Sequence, residues 1–205
     1  MVTNSKFKFV AGSLGLDFLN TVGGWIPRGR KRDYADCILG EKLETFRDLI
    51  EWARLAAIVS PSEARILTLR ENSTILERAV ALRASLYRTA KSLFEGWPPP
   101  AADLDHLNHE LANAEAHRRL AFFGGKLVWM WDDPDTPDHI LWSVVESAAK
   151  LLTSPDAASV RQCPGSECGW FFLDTSRNRA RRWCQMQICG NRAKVKRFRR
   201  HGSNL

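Results

Sequence analysis

Cys163-Pro-Gly-Ser-Glu-Cys168 and Cys184-Gln-Met-Gln-Ile-Cys189 set the architecture of the carboxy-terminal region. Each is C-x4-C, and fifteen residues separate them. Four of the five cysteines therefore fall in one window of 27 residues. Two close pairs joined by one modest loop bring four thiolates together at little entropic cost. Four sulfurs in a tetrahedron match zinc's preference and fill its coordination sphere, so one structural zinc per chain is expected, held by Cys163, Cys168, Cys184 and Cys189. An iron–sulfur cluster is the chemical rival, and four independent thiols are the bland alternative. An odd cysteine total without an export signal argues against a disulfide framework.

The residues around those cysteines are strongly basic. Positions 161–205 carry 11 Lys and Arg against Glu167 and Asp174, a net of +9, whereas positions 1–160 net −2. A module this basic suits a polyanion. The phosphate-contact candidates are Arg177, Arg179, Arg181, Arg182, Arg192, Lys194, Lys196, Arg197, Arg199 and Arg200, with a solvated charged surface as the alternative. Gly190-Asn191 reads as a turn and N-cap into a final helix, with Ile188, Val195 and Phe198 on one side. Asn191 could instead read a base. Trp170 and Trp183, each beside a cysteine, either pack over the metal or stack on bases. A 45-residue tail with few apolar residues cannot supply its own core, and zinc would contribute the missing folding energy.

Working back from the tail, the body reads as helices with one hairpin. FKFV at 7–10 suggests a short strand, and LGLDFLNTV at 14–22 a helix with Ser13 as N-cap. Residues 23–40 form a Gly- and Arg-rich loop. Helical periodicity covers 41–58. Ser60-Pro61-Ser62-Glu63 is a capping box that starts the next helix. Further helices are expected at 73–95, around Leu104, Leu107 and Leu111, and at 138–153. RRLAFF-GG-KLVWMW at 118–131 is a hairpin with a two-residue turn. The fold class is α+β: a mainly helical domain at 1–153 with a small β-hairpin, a linker at 154–160, and a small treble-clef-like zinc module at 161–205.

Within the body, Asp17 and Asn20 are polar residues in an apolar helix, and they suggest either ligand contacts or an internal hydrogen bond. Trp129 and Trp131, sharing a strand face with Leu127, could line an aromatic ligand pocket or an ordinary core. Arg28, Arg30 and Arg32 could meet an acidic ligand or simply be solvated. His106 and His109 could share a metal, but an exposed polar face is the simpler account. Cys37 stands alone.

The string RRWCQMQICGNRAK at 181–194, with GWFFLDTSRNR before it, resembles the CGNR zinc finger, named for Cys189-Gly190-Asn191-Arg192. The resemblance covers roughly residues 160–200. In that family the finger follows an ABATE domain, and LGLDFLNTV resembles that domain's opening motif. The resemblance implies zinc, DNA binding and a bacterial stress-related transcription regulator, with the amino-terminal domain as sensor of an unidentified small ligand.

The expected function is therefore a DNA-binding regulator, with an RNA-binding or translation-associated protein as the alternative. A homodimer would fit paired half-sites. No phosphate loop, nucleophile elbow or dinucleotide fingerprint is present, and the chain is read as a non-enzyme. No stretch reaches the roughly 20 apolar residues of a membrane span, so the expected location is the cytoplasm, with no membrane partner.

Overall fold

A computed structural model describes residues 5–26, 34, 37–70, 72–133 and 136–202, the last three without side-chain detail. The chain divides into two compact units that do not follow its order. One comprises residues 43–153. The other joins residues 1–42 to residues 154–205.

The unit at 43–153 is helical. Its elements are α2 (Phe46–Leu55), α3 (Pro61–Thr68), α4 (Ser73–Glu95), α5 (Ala101–Ala116), β1 (Arg118–Phe123), β2 (Lys126–Trp131) and α6 (Asp138–Leu152). The helix expected over 41–58 begins only at Phe46. There the Thr45 hydroxyl accepts from the Asp48 amide while the Asp48 carboxylate accepts from the Thr45 amide, and this reciprocal cap sets the start. Ser60 and Glu63 close the same box at α3, with Pro61 at the first helical position.

Helices α4, α5 and α6 pack together around Leu82, Leu86, Leu107, Ala114, Ile140, Leu141, Val144 and Val145, all buried. Charges cross this core in pairs, as buried charge requires. The Arg78 guanidinium donates to the Glu110 carboxylate at 2.9 Å and also meets Asp138. Arg88 donates to Asp103 at 2.8 Å. His106 Nδ1 lies 2.9 Å from the Ser85 hydroxyl, and the metal-binding cluster among the described residues does not include His106 or His109.

Strands β1 and β2 pair antiparallel from Arg118↔Trp131 to Phe123↔Lys126. The turn is Gly124-Gly125, with φ of 58° and 81°. Two successive left-handed residues give the primed turn whose twist matches a hairpin, and glycine adopts it without strain. Core packing was one reading of the hairpin's Leu127–Trp129 face, and the structure overturns it. Leu127 and Trp129 are exposed, whereas Trp131, at the root of the ribbon, lies against Trp142.

The other unit contains α1 (Leu14–Leu19), a 3-10 turn (Pro155–Ser159), β3 (Val160–Gln162), β4 (Phe171–Leu173), a π-helical turn (Met186–Gly190) and α7 (Asn191–Gly202). Strands β3 and β4 pair antiparallel. Residues 7–10 form no strand, and Phe7 is simply buried. Residues 154–160, expected as a linker, hold the 3-10 turn that leads into β3. The stretch 23–40 includes the isolated bridge Trp25↔Ile38, and a second bridge, Val22↔Glu41, lies just outside it. Arg28, Arg30 and Arg32 lie outside the described residues. No helix among the described residues is long and apolar enough to cross a membrane.

Candidate metal centre and nucleic-acid interface

The metal centre is assembled from two turns. The Cys163 amide donates to the Trp170 carbonyl at 2.8 Å, and the Cys168 amide to the Gly165 carbonyl at 3.1 Å, which folds the first C-x4-C back on itself. In the second, the Cys189 amide donates to the Gln185 carbonyl at 2.9 Å and the wide π turn brings Cys189 round beside Cys184.

All four sulfurs lie within 4.8 Å of one another. Cys168 Sγ is 3.4 Å from Cys184 Sγ, which is 3.6 Å from Cys189 Sγ. Bonds of about 2.3 Å from a tetrahedral zinc put sulfurs roughly 3.8 Å apart, so the set fits one ion. These separations are far too long for a disulfide, and all four thiols are free and buried. Gly165 leaves the space for this approach: a Cβ there would meet Cys168 Cβ at 3.1 Å and Cys163 Sγ at 3.6 Å. Hydrogen bonds from the Cys168 and Cys184 thiols hold the Cys163 thiol well below its usual range. The same shared hydrogen bonds push Cys168 and Cys184 up, and burial pushes Cys189 up. Thiolates this close repel one another, and a divalent ion between them would allow all four to ionise. These four cysteines are positioned to bind one structural zinc.

Segments remote in sequence brace the centre. The Trp25 amide donates to the Cys168 carbonyl at 2.6 Å. Gly169, at φ +60°, lies so close to Trp25 that a Cβ would sit 2.2 Å from the Trp25 carbonyl oxygen. Trp170 is buried and its Nε1 donates to the Val22 carbonyl at 3.1 Å, so it packs by the metal rather than offering a face to bases. The Lys42 ammonium stands 4.7 Å from that indole's centroid. None of Trp25, Val22 or Lys42 carries a metal-site signal in the sequence.

Asn20 forms a two-sided clamp. Its Nδ2 donates to the Phe171 carbonyl at 2.7 Å, and its Oδ1 accepts from the Phe171 amide at 3.1 Å. The side chain thus pairs with β4 as a neighbouring strand would. Asp17 Oδ1 accepts from the Val10 and Ala11 amides, both at 2.9 Å. Of the two readings of these residues, the internal hydrogen bond is the one observed.

Burial pushes the Asp17 carboxyl up to about 6, against the two amides that favour its ionised form. A carboxyl raised in the folded state stabilises the fold below its unfolded pKa near 4, and that contribution is lost as pH rises through about 6. Relative to Asp17→Asn, the natural chain is expected to lose up to about 3 kcal/mol between pH 4 and pH 7. Urea unfolding of both chains at matched metal content measures this. Parallel pH profiles would remove the claim.

The basic residues divide by what they touch. Arg181 is turned inward: its guanidinium donates to the carbonyls of Val10 at 2.9 Å and Trp183 at 3.2 Å, and it lies 4.5 Å over the Phe172 ring. It holds the module together and has little left to offer a phosphate. Arg177, Arg179 and Arg182 are exposed, and Arg182 lies 5.4 Å over Trp183. On α7, Arg192, Lys194, Lys196, Arg197 and Arg199 are all exposed, and Arg200 shares the helix with its side chain outside those described. Val195 and Phe198 are exposed as well, so the expected apolar side of this helix has no cover.

Asn191 does not act as an N-cap. It has helical backbone angles, because α7 continues directly from the π turn, and its side-chain Nδ2 donates back to the Gln187 carbonyl at 3.0 Å. A cleft of about 540 Å³ separates the first cysteine turn from α7, with Pro164 and Glu167 on one wall and Trp183, Arg192, Lys196 and Arg197 on the other.

Trp129 and Trp131 meet different partners. Trp129 is exposed beneath the Arg118 guanidinium, 4.5 Å from its ring centroid, and Trp131 Nε1 donates to the Ser143 hydroxyl at 3.3 Å. Cys37 is buried and outside the sulfur cluster.

Two family models match the chain. The ABATE model, described as "Putative stress-induced transcription regulator", matches residues 12–155, and the CGNR zinc finger model matches residues 159–201. A search of the curated proteins finds no match.

Proposed function

Because the chain belongs to the ABATE family and carries a CGNR zinc finger, we propose that it is a transcription regulator that grips duplex DNA through α7 and the cleft beside it. The observation that carries this reading is α7 itself. Among its described side chains none is buried, and five of the nine from Asn191 to Arg199 are cationic. Such a helix is poorly stabilised alone: Arg192 and Lys196 stand at i, i+4 and Lys194 and Arg197 at i, i+3, where like charges repel. A phosphate backbone removes that repulsion and releases counterions.

In this reading Arg192, Lys196 and Arg197 meet phosphates from the cleft wall, while Arg177, Arg179, Arg182, Lys194 and Arg199 widen the basic field. Phosphate contacts give affinity and register rather than sequence choice. The zinc has a structural task only, since four thiolates close its shell and leave no position for a reacting water. The chain is a binding protein and not an enzyme. The remainder of the ABATE region would act as sensor of a small ligand or as a dimerisation unit, and the protein would work in the cytoplasm.

The test is competition between duplex DNA and structured RNA for the zinc-loaded chain at matched salt. Duplex is expected to win, with a logarithmic salt slope of about −5 for about six phosphates contacted. Preference for RNA transfers the reading to an RNA-binding protein. A slope near zero removes nucleic acid altogether.

A further inference from the structure

The hairpin β1–β2 ends in an uncovered apolar ribbon. Its root is tied down: Arg118 pairs with Glu146 at 2.7 Å and Arg119 with Asp132 at 2.9 Å. Trp131 lies against Trp142, with centroids 5.6 Å apart. Beyond that root, directly opposed residues share a face, so Leu120 with Trp129 and Phe122 with Leu127 make one side. These four are exposed by 59%, 59%, 75% and 67% respectively. Both strands are also sheet edges, with unpaired backbone donors and acceptors along them.

We propose that this face is a homodimer interface, occupied by the same hairpin of a second copy. Two observations select that occupant. The first is area. With roughly 150–250 Å² per large side chain, the four exposed groups present roughly 500 Å². Two such faces bury roughly 1,000 Å² before their rims are counted, the threshold for a specific interface. One copy alone leaves a patch near the upper end of what soluble monomers expose.

The second is charge. Between Leu120 and Met130 the only charged residue is Lys126, at the tip and on the opposite face. A two-fold contact sets residues at the axis beside their own copies and repeats every other pair twice, so a face without like charge suits self-pairing. The arginines at the root are neutralised within their own copy. A partner recognised by complementary charge would find only the Arg118 guanidinium over Trp129, which Glu146 already pairs. The proposal does not depend on nucleic-acid binding, although a dimer would present two basic helices.

Sedimentation of the zinc-loaded full chain from about 1 to 100 µM tests it. The mass is expected to rise from 23.2 kDa towards twice that value. Leu127→Glu would bring two carboxylates into the apolar contact and is expected to weaken association roughly 100-fold or more. Leu127→Met is expected to leave it intact. Because position 127 is exposed, helicity and zinc content should be unchanged in both variants. A chain that stays monomeric at 100 µM overturns the proposal, and so does one that remains monomeric yet binds lipid vesicles. Equal dimerisation by Leu127→Glu and the natural chain overturns it as well.

Discussion

Cys184→Ser is expected to reduce the metal content from one zinc per chain to none and to unfold far more than the carboxy-terminal tail. Structural zinc in small modules supplies on the order of 10 kcal/mol, comparable with the whole stability of an ordinary domain. The tail has no independent core to fall back on. Its buried residues Trp170, Phe171 and Phe172 share a unit with Phe18, Leu19, Val22 and Trp25 from the other end of the chain. The clamps between those two segments include the Trp25–Cys168 backbone bond and the Asn20 side chain on the Phe171 backbone, both close to the metal ligands. Losing the ion should therefore release residues 5–26 together with residues 160–190.

Hydrogen exchange makes this expectation specific. Protection should be lost at the amides of Trp25 and Phe171 and kept in α4, α5 and α6, which belong to the other unit. Cys37→Ser serves as the control, because Cys37 is buried and outside the sulfur cluster, and its zinc content should stay at one. Retention of zinc by Cys184→Ser would remove the four-sulfur site. Unchanged protection at Trp25 would mean that the amino-terminal segment folds without the metal.

Triple reversal of Arg192, Lys196 and Arg197 to Glu is expected to weaken duplex binding by at least about 100-fold while zinc stays bound. Each reversal removes a phosphate contact and adds a repulsive charge, so the salt slope should also flatten by about 3. These three side chains are exposed, so their replacement costs the fold little. Arg181→Gln is the instructive contrast. Its guanidinium bonds the carbonyls of Val10 and Trp183 across the module, so its loss should lower stability and leave the salt slope nearly unchanged. If the triple variant bound duplex as tightly as the natural chain, α7 would be excluded as the contact surface. If Arg181→Gln flattened the slope instead, the division of the arginines into braces and contacts would fail.

Most local structure was legible because its causes are local. The capping box at Ser60, apolar periodicity along α4 and the Gly124-Gly125 turn all act within a few residues of themselves, whereas the Thr45 box that shortens the helix expected over 41–58 emerged only in the structure. The sulfur site was legible for the same reason, since two C-x4-C turns close over short loops. Strand β3 was missed: Val160-Arg161-Gln162 is too short to show a period and exists because β4 pairs with it. Asn191 was read as a cap, but a helix that continues from a π turn needs none.

The roles of Asn20 and Arg181 could not be told from their neighbours in sequence. An asparagine in an apolar helix looks the same whether it meets a ligand or a distant strand, and an arginine in a basic run looks like the arginines beside it. The exposure of Leu127 and Trp129 is a further case, since alternation along a strand reports which residues share a side and not whether anything covers that side.

The amino-acid order alone determined that four thiolates would meet at one ion within a field of positive charge, because thiol spacing and charge are properties of short segments. Only the tertiary structure decided that residues 5–26 help to build the metal module and that Arg181 faces inward. It alone also decided that the hairpin stands uncovered. The physical reason is common to all three: each depends on which surfaces meet across more than 100 residues of chain or fail to meet at all, and burial between distant segments leaves no periodic trace in either one.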